Sequence, residues 1–91
     1  MNSRFIFIVI VRYVTVTKIN SHAFYNCAIL KTVEIPRSVT AISYYGLGNC
    51  SSLKTIYYDG TIAEFDTVAS YYWGYCTPEV TVVCTDGSVT R

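Results

Sequence analysis

Short stretches of alternating apolar and polar residues recur along this chain. In Leu30-Lys31-Thr32-Val33-Glu34-Ile35, Val33 and Ile35 fall on one face of an extended segment and Thr32 and Glu34 on the other. This predicts a half-buried strand at about 30–35, stopped by Pro36, which has no amide to donate to a ladder. The same pattern returns in Leu53-Lys54-Thr55-Ile56-Tyr57-Tyr58, closed by the turn signal Asp59-Gly60. Between the strands, Val39, Ile42, Leu47 and Cys50 are spaced irregularly, which suits a tight return with one helical turn around 43–47. Gly46 and Gly48 oppose a longer helix.

The two patterns are copies at an offset of 23 residues. Val16, Thr17, Ile19, Asn26, Cys27, Leu30, Lys31 and Thr32 return unchanged as Val39, Thr40, Ile42, Asn49, Cys50, Leu53, Lys54 and Thr55. A fixed period with apolar residues at fixed phases implies stacked coils, because one coil cannot bury its apolar side alone. The predicted fold class is therefore a repeat solenoid, mainly β with short helical or irregular returns, its parallel strands stacked on one face. One domain spans 1–91: a degenerate half repeat at 5–15, repeats at 16–38 and 39–60, and a C-terminal cap at 61–91. Phe5, Ile8 and Ile10 take the spacing of Leu30, Val33 and Ile35, which leaves Ile6, Phe7 and Val9 as an apolar outer face. That strand, at about 5–10, is either covered or a sticky edge through which residues 5–11 self-associate.

From Thr61 onward the repeat stops. Thr61 and Glu64 form a capping-box pattern before Ile62, Phe65 and Val68, predicting a short helix with one apolar face. Tyr71-Tyr72-Trp73-Gly74-Tyr75 reads as an aromatic loop. Val80 to Cys84 reads as a strand, and Thr85-Asp86-Gly87 as a hairpin leading to a last strand near 88–90.

Composition narrows the function. With 52% apolar residues, 14% charged residues and a net charge of +1, the chain has no electrostatic footprint for nucleic acid or an anionic membrane. The longest apolar run, Phe5 to Val11, is far short of the roughly 20 residues of a membrane span, and Arg12 interrupts it where a signal peptide's core would continue. Nine of the fourteen aromatics are tyrosines, which are amphipathic contact residues.

The chemical motifs are sparse. His22 stands alone beside Ser21 with no acidic neighbour, so it reads as a surface residue rather than a general base. Asp59 and Asp86 each offer one carboxylate, which suits a turn and not a calcium loop. Cys27 and Cys50 share one phase and read as buried free thiols; Cys76 and Cys84 are open to either state. No cysteine pair has zinc-knuckle spacing. No cofactor, metal or enzymatic activity is expected. Two surfaces are candidates for binding: the outer strand face, Thr32, Glu34, Thr55 and Tyr57, and the aromatic loop, Tyr71, Tyr72, Trp73 and Tyr75. The loop serves equally as packing against the last coil.

The series Val16, Ile19, Ala23, Phe24, Cys27, Leu30, Val33, Ile35, Pro36 resembles the BspA-type leucine-rich repeat. The second copy departs from it at Gly46-Leu47 and at Asp59. The segments around Tyr58-Gly60-Thr61 and Val82-Cys84-Thr85-Asp86-Gly87 resemble that family's end module, with Phe65 where a tryptophan is expected. The resemblance implies a right-handed solenoid and a non-catalytic, surface-exposed bacterial protein, often an adhesin, with a protein or glycan partner. A purely structural closing piece of a longer array is the competing reading.

Overall fold

In the computed structural model, residues 17–91 are described in full and residues 8–10 as backbone. Strands β1 (Ile8–Ile10), β3 (Thr32–Ile35), β5 (Thr55–Tyr58), β6 (Thr81–Cys84) and β7 (Gly87–Thr90) form one sheet in that spatial order. The first four run parallel, and β7 turns back antiparallel on β6. A second face carries β2 (Lys18–Ile19) and β4 (Ala41–Ile42), also parallel. Parallel strands joined by returns over a second face make the predicted solenoid.

Alternation decides what is buried. Val33 and Ile35 on β3, Ile56 and Tyr58 on β5, and Val82 on β6 point inward and are buried. The register Val33–Ile56–Val82 stacks them directly. Leu30, Leu53 and Val80, just before each strand, add a second buried set at a common phase. Leu47, Cys50, Val39, Ile42 and Ile19 close the core from the return side. Phe24, at the phase of the buried Leu47, is only half-buried. Its amide donates to Gly46 O at 2.9 Å, so the next coil covers it on that side, whereas Leu47 lies between the Phe24 and Trp73 coils.

The return is a run of overlapping turns, not the predicted helical turn. Ala23, Tyr25 and Cys27 each donate backward over three residues, to Asn20, His22 and Phe24. The alternate amides of His22, Phe24 and Asn26 donate to the next coil, at Tyr44, Gly46 and Gly48. Half the amides close turns and half join coils, so none is left for a helix. The conformation requires positive φ at His22 (60°) and Asn26 (66°), and again at Tyr45 (57°) and Asn49 (51°).

The coil repeats a third time past Thr61, although the sequence does not. Positive φ recurs at Tyr72 (59°) and Cys76 (62°), and Ala69 bridges Ile42 as Ile42 pairs Ile19. Leu47 donates to Trp73 O and Asn49 to Tyr75 O, as Phe24 and Asn26 do one coil earlier. The offset has widened because helix α1 (Ile62–Val68) is inserted before the turn. Its start is as predicted: Thr61 Oγ1 accepts from Glu64 N at 3.1 Å, and Glu64 Oε1 accepts from Thr61 N at 2.8 Å. Phe65 is sealed between Tyr58 and Trp73, with ring centroids at 5.5 and 5.7 Å.

At the other end, β1 pairs with β3 through Ile8–Thr32, Val9–Val33 and Ile10–Glu34. The alignment predicted from spacing put Ile8 opposite Val33, so the register is displaced by one residue. Ile8, Val9 and Ile10 are all apolar, and a run without alternation carries no register information. The rest of the apolar run, residues 5–7 and 11, lies outside the described residues, as does most of the 5–15 half repeat.

Candidate binding surfaces

The outer face of the sheet carries the residues predicted there. Thr32 and Thr55 lie in one row and Glu34 and Tyr57 in the next. The register extends the first row across the sheet as Thr32, Thr55, Thr81 and Thr90. Four hydroxyls thus stand side by side, two of them contributed by strands that sequence identity does not link to the repeat. Val83 and Ser88 continue the second row. Tyr57 is 48% exposed. Beside it a shallow groove of about 380 Å³ runs between Glu34, Tyr57 and Val83 toward Pro36, Asp59 and Thr85.

A second surface lies along the turns. Because the turns stack in register, their side chains stack too. Tyr45 is sandwiched between Tyr25, at 5.7 Å and 19°, and Tyr75, at 5.1 Å and 22°. Tyr44 stacks on Tyr45 at 4.3 Å, and Tyr71 lies on Tyr72 at 4.1 Å in the equivalent position one coil on. His22 meets Tyr25 and Tyr45 edge-on. Offset and edge-to-face contacts of this kind contribute beyond their buried area. Gly48 makes room for the stack: a Cβ there would sit 3.0 Å from the Tyr25 ring and 3.2 Å from Tyr75 O.

Of the predicted aromatic loop, Tyr71, Tyr72 and Tyr75 join this ladder, while Trp73 turns inward onto Phe65. Tyr25, Tyr44, Tyr45 and His22 were not recognised from sequence. An alignment at the wider offset would have paired Tyr44-Tyr45 with Tyr71-Tyr72 and disclosed them. The hydrogen bond with Tyr44, then partial desolvation and the neighbouring phenols, push the Tyr45 hydroxyl up to about 12. Hydrogen bonding with Tyr71 raises that of Tyr72 in the same way.

His22 Nδ1 lies 2.8 Å from Ser21 Oγ, and its ring packs edge-on against Tyr25 and Tyr45; among the described residues no carboxylate bonds it. Among the described residues, no three His, Cys, Asp or Glu side chains converge as a metal site would require, and no helix is long and apolar enough to cross a membrane.

A family model described as the BspA-type leucine-rich repeat region, of six copies, matches residues 2–85. Nothing among curated proteins or solved structures matches the chain. The match spans most of the sequence, and the chain belongs to the BspA-type leucine-rich repeat family.

Proposed function

We propose that this leucine-rich repeat chain is a non-catalytic binding module that recognises a protein or glycan partner on the outer face of its parallel sheet. Repeat domains of this kind generally act in binding, and a solenoid's extended strand surface is where many residues can be presented together. The observation that carries the reading is the pair of registered rows, Thr32–Thr55–Thr81–Thr90 and Glu34–Tyr57–Val83–Ser88. They combine hydroxyls, a carboxylate and an exposed tyrosine beside a groove. Tyrosine is a residue type that dominates binding energy when a partner desolvates it.

The test is to probe glycan and purified-protein arrays with the chain and with the double variant Glu34→Ala, Tyr57→Ala. The expected result is at least one ligand retained by the chain and lost by the variant. Ligands bound equally by both would move recognition off the sheet face.

The competing role, closing a longer repeat array, is favoured by one observation. The antiparallel β7 ends the parallel stacking after the third coil. If closure is the whole function, chains truncated after residue 60 aggregate while the intact chain binds nothing on either array.

A further inference from the structure

At the C-terminal end of the tyrosine ladder, the third turn, the lead into β6 and Arg91 just past β7 line a cavity of about 280 Å³ that is open to solvent. We propose that this cavity, walled by Tyr72, Trp73, Tyr75, Glu79 and Arg91, binds the terminal ring of an uncharged hexopyranose chain. The proposal rests on the binding-module reading and assigns it a second site and a ligand class.

Size comes first. Drug-sized ligand sites begin near about 300 Å³, so this cavity takes one small ring, not a folded side-chain cluster. Its walls then divide by chemistry. Three aromatic residues offer apolar surface suited to the C–H face of a sugar. Glu79 and Arg91 are planar charged groups that engage adjacent hydroxyls in pairs.

The hydrogen-bonding capacity of these groups is partly unspent. A guanidinium has five N–H donors. Arg91 uses Nε and one Nη2 donor on Asp66, at 2.9 and 2.8 Å, and one Nη1 donor on Thr90 O at 3.1 Å. Two donors remain, on a group already locked in place by its carboxylate. Among the described residues no group bonds the Glu79 carboxylate or accepts from the Trp73 indole N–H, and neither is sealed from solvent. Donors and acceptors thus meet in one small aromatic space, and a sugar hydroxyl both donates and accepts.

Charge and continuity complete the argument. Asp66 already neutralises Arg91, and Glu79 adds a negative charge, so anionic sugars are disfavoured. Tyr72 and Tyr75 also belong to the ladder, so a chain leaving the cavity runs onto exposed rings, Tyr72 at 42% and Tyr44 at 47%. A proline-rich peptide would satisfy the rings and, through its carbonyls, the spare Arg91 donors, but its prolines offer no N–H to Glu79.

Trp73 is the chain's one tryptophan and lines this cavity, so its emission responds to a ligand there. The full chain is titrated with β-1,4-linked tetrasaccharides of glucose and of N-acetylglucosamine, and separately with an uncharged proline-rich decapeptide. The expected result is a saturable emission shift with one of the sugars, half-complete below about 1 mM. Glu79→Ala should weaken it at least about tenfold, as loss of a charged hydrogen bond does, and Lys54→Ala should leave it unchanged. Glu79 is exposed, and circular dichroism verifies that the variant folds. No saturable shift with either sugar, an unchanged titration in Glu79→Ala, or a shift with the peptide only, would overturn the proposal. Sheet-face binding is read by the double variant Glu34→Ala, Tyr57→Ala on the arrays, so either site can fail without the other.

Discussion

Thr77 Oγ1 joins Cys50 to Leu47: it accepts from the Cys50 amide at 3.0 Å and donates to the Leu47 carbonyl at 2.6 Å. Thr77 occupies the phase that Cys27 and Cys50 hold in the first two coils. A hydroxyl with a donor and an acceptor here ties the divergent third coil to the second. Thr77→Val keeps the shape and removes both bonds. It leaves a buried amide and carbonyl unpaired, and should destabilise the fold by about 1–3 kcal/mol in a denaturant titration. A loss below about 0.5 kcal/mol would show that the bonds are replaced by water.

Leu53 is fully buried in the central coil, at the phase of Leu30 and Val80. Leu53→Ala should cost about 2–5 kcal/mol, as large-to-small core changes do. In a domain this small that is a large part of the total stability. A cost under about 1 kcal/mol would mean that the stacked leucines are not the core.

Cys76 sits at a φ of 62°, where the two earlier coils place Asn26 and Asn49. The Asn49 side-chain amide donates to Asn26 Oδ1, and asparagine tolerates the left-handed region better than cysteine does. Cys76→Asn should extend the ladder by one rung and raise stability by about 0.5–1 kcal/mol. Unchanged or lower stability on thermal melting would argue against a repeated requirement at this position.

All four thiols are free, but their settings differ. Cys76 is exposed, Cys27 and Cys84 are half-buried, and Cys50 is buried with its thiol donating to Phe24 O. A thiol reagent should label Cys76 quickly and Cys50 only after denaturation. Fast native labelling of Cys50 would contradict the packing of the second coil.

Burial pushes the Cys50 thiol above its ordinary range, and does the same for Tyr58 and Cys84. In each case the folded state favours the protonated form. That stabilisation is complete below the unfolded pKa and is lost as pH rises through the folded one. The melting temperature should therefore fall above about pH 9. The fall should be shallower in Cys50→Ala, with Tyr58 and Cys84 supplying the remaining slope.

β1 is the outermost strand of the described sheet, and its far edge has no described partner. We propose that the apolar run 5–11 self-associates along that edge. Sedimentation should show concentration-dependent association at tens of micromolar, which is relieved by Lys at Ile8 and Ile10, the positions in register with Thr32 and Glu34. A stable monomer of the unmodified chain would overturn this.

The sequence by itself determined the period, the inward set Val33, Ile35, Leu53 and Ile56, the parallel stacking and the capped helix at Thr61. Each follows from alternation, from a 23-residue repeat or from a local cap, and those signals are carried by residue types at fixed spacings along the chain. The tertiary structure decided what depends on stacking between coils. It displaced β1 by one residue, because three consecutive apolar residues carry no face preference. It made a third coil from a segment with almost no sequence identity, because backbone bonds from Leu47 and Asn49 to Trp73 and Tyr75 need no particular side chains. It also brought Tyr25, Tyr45 and Tyr75 into one stack and turned Trp73 onto Phe65. Those residues are far apart in the chain, and only the rise of the coil sets them ring against ring.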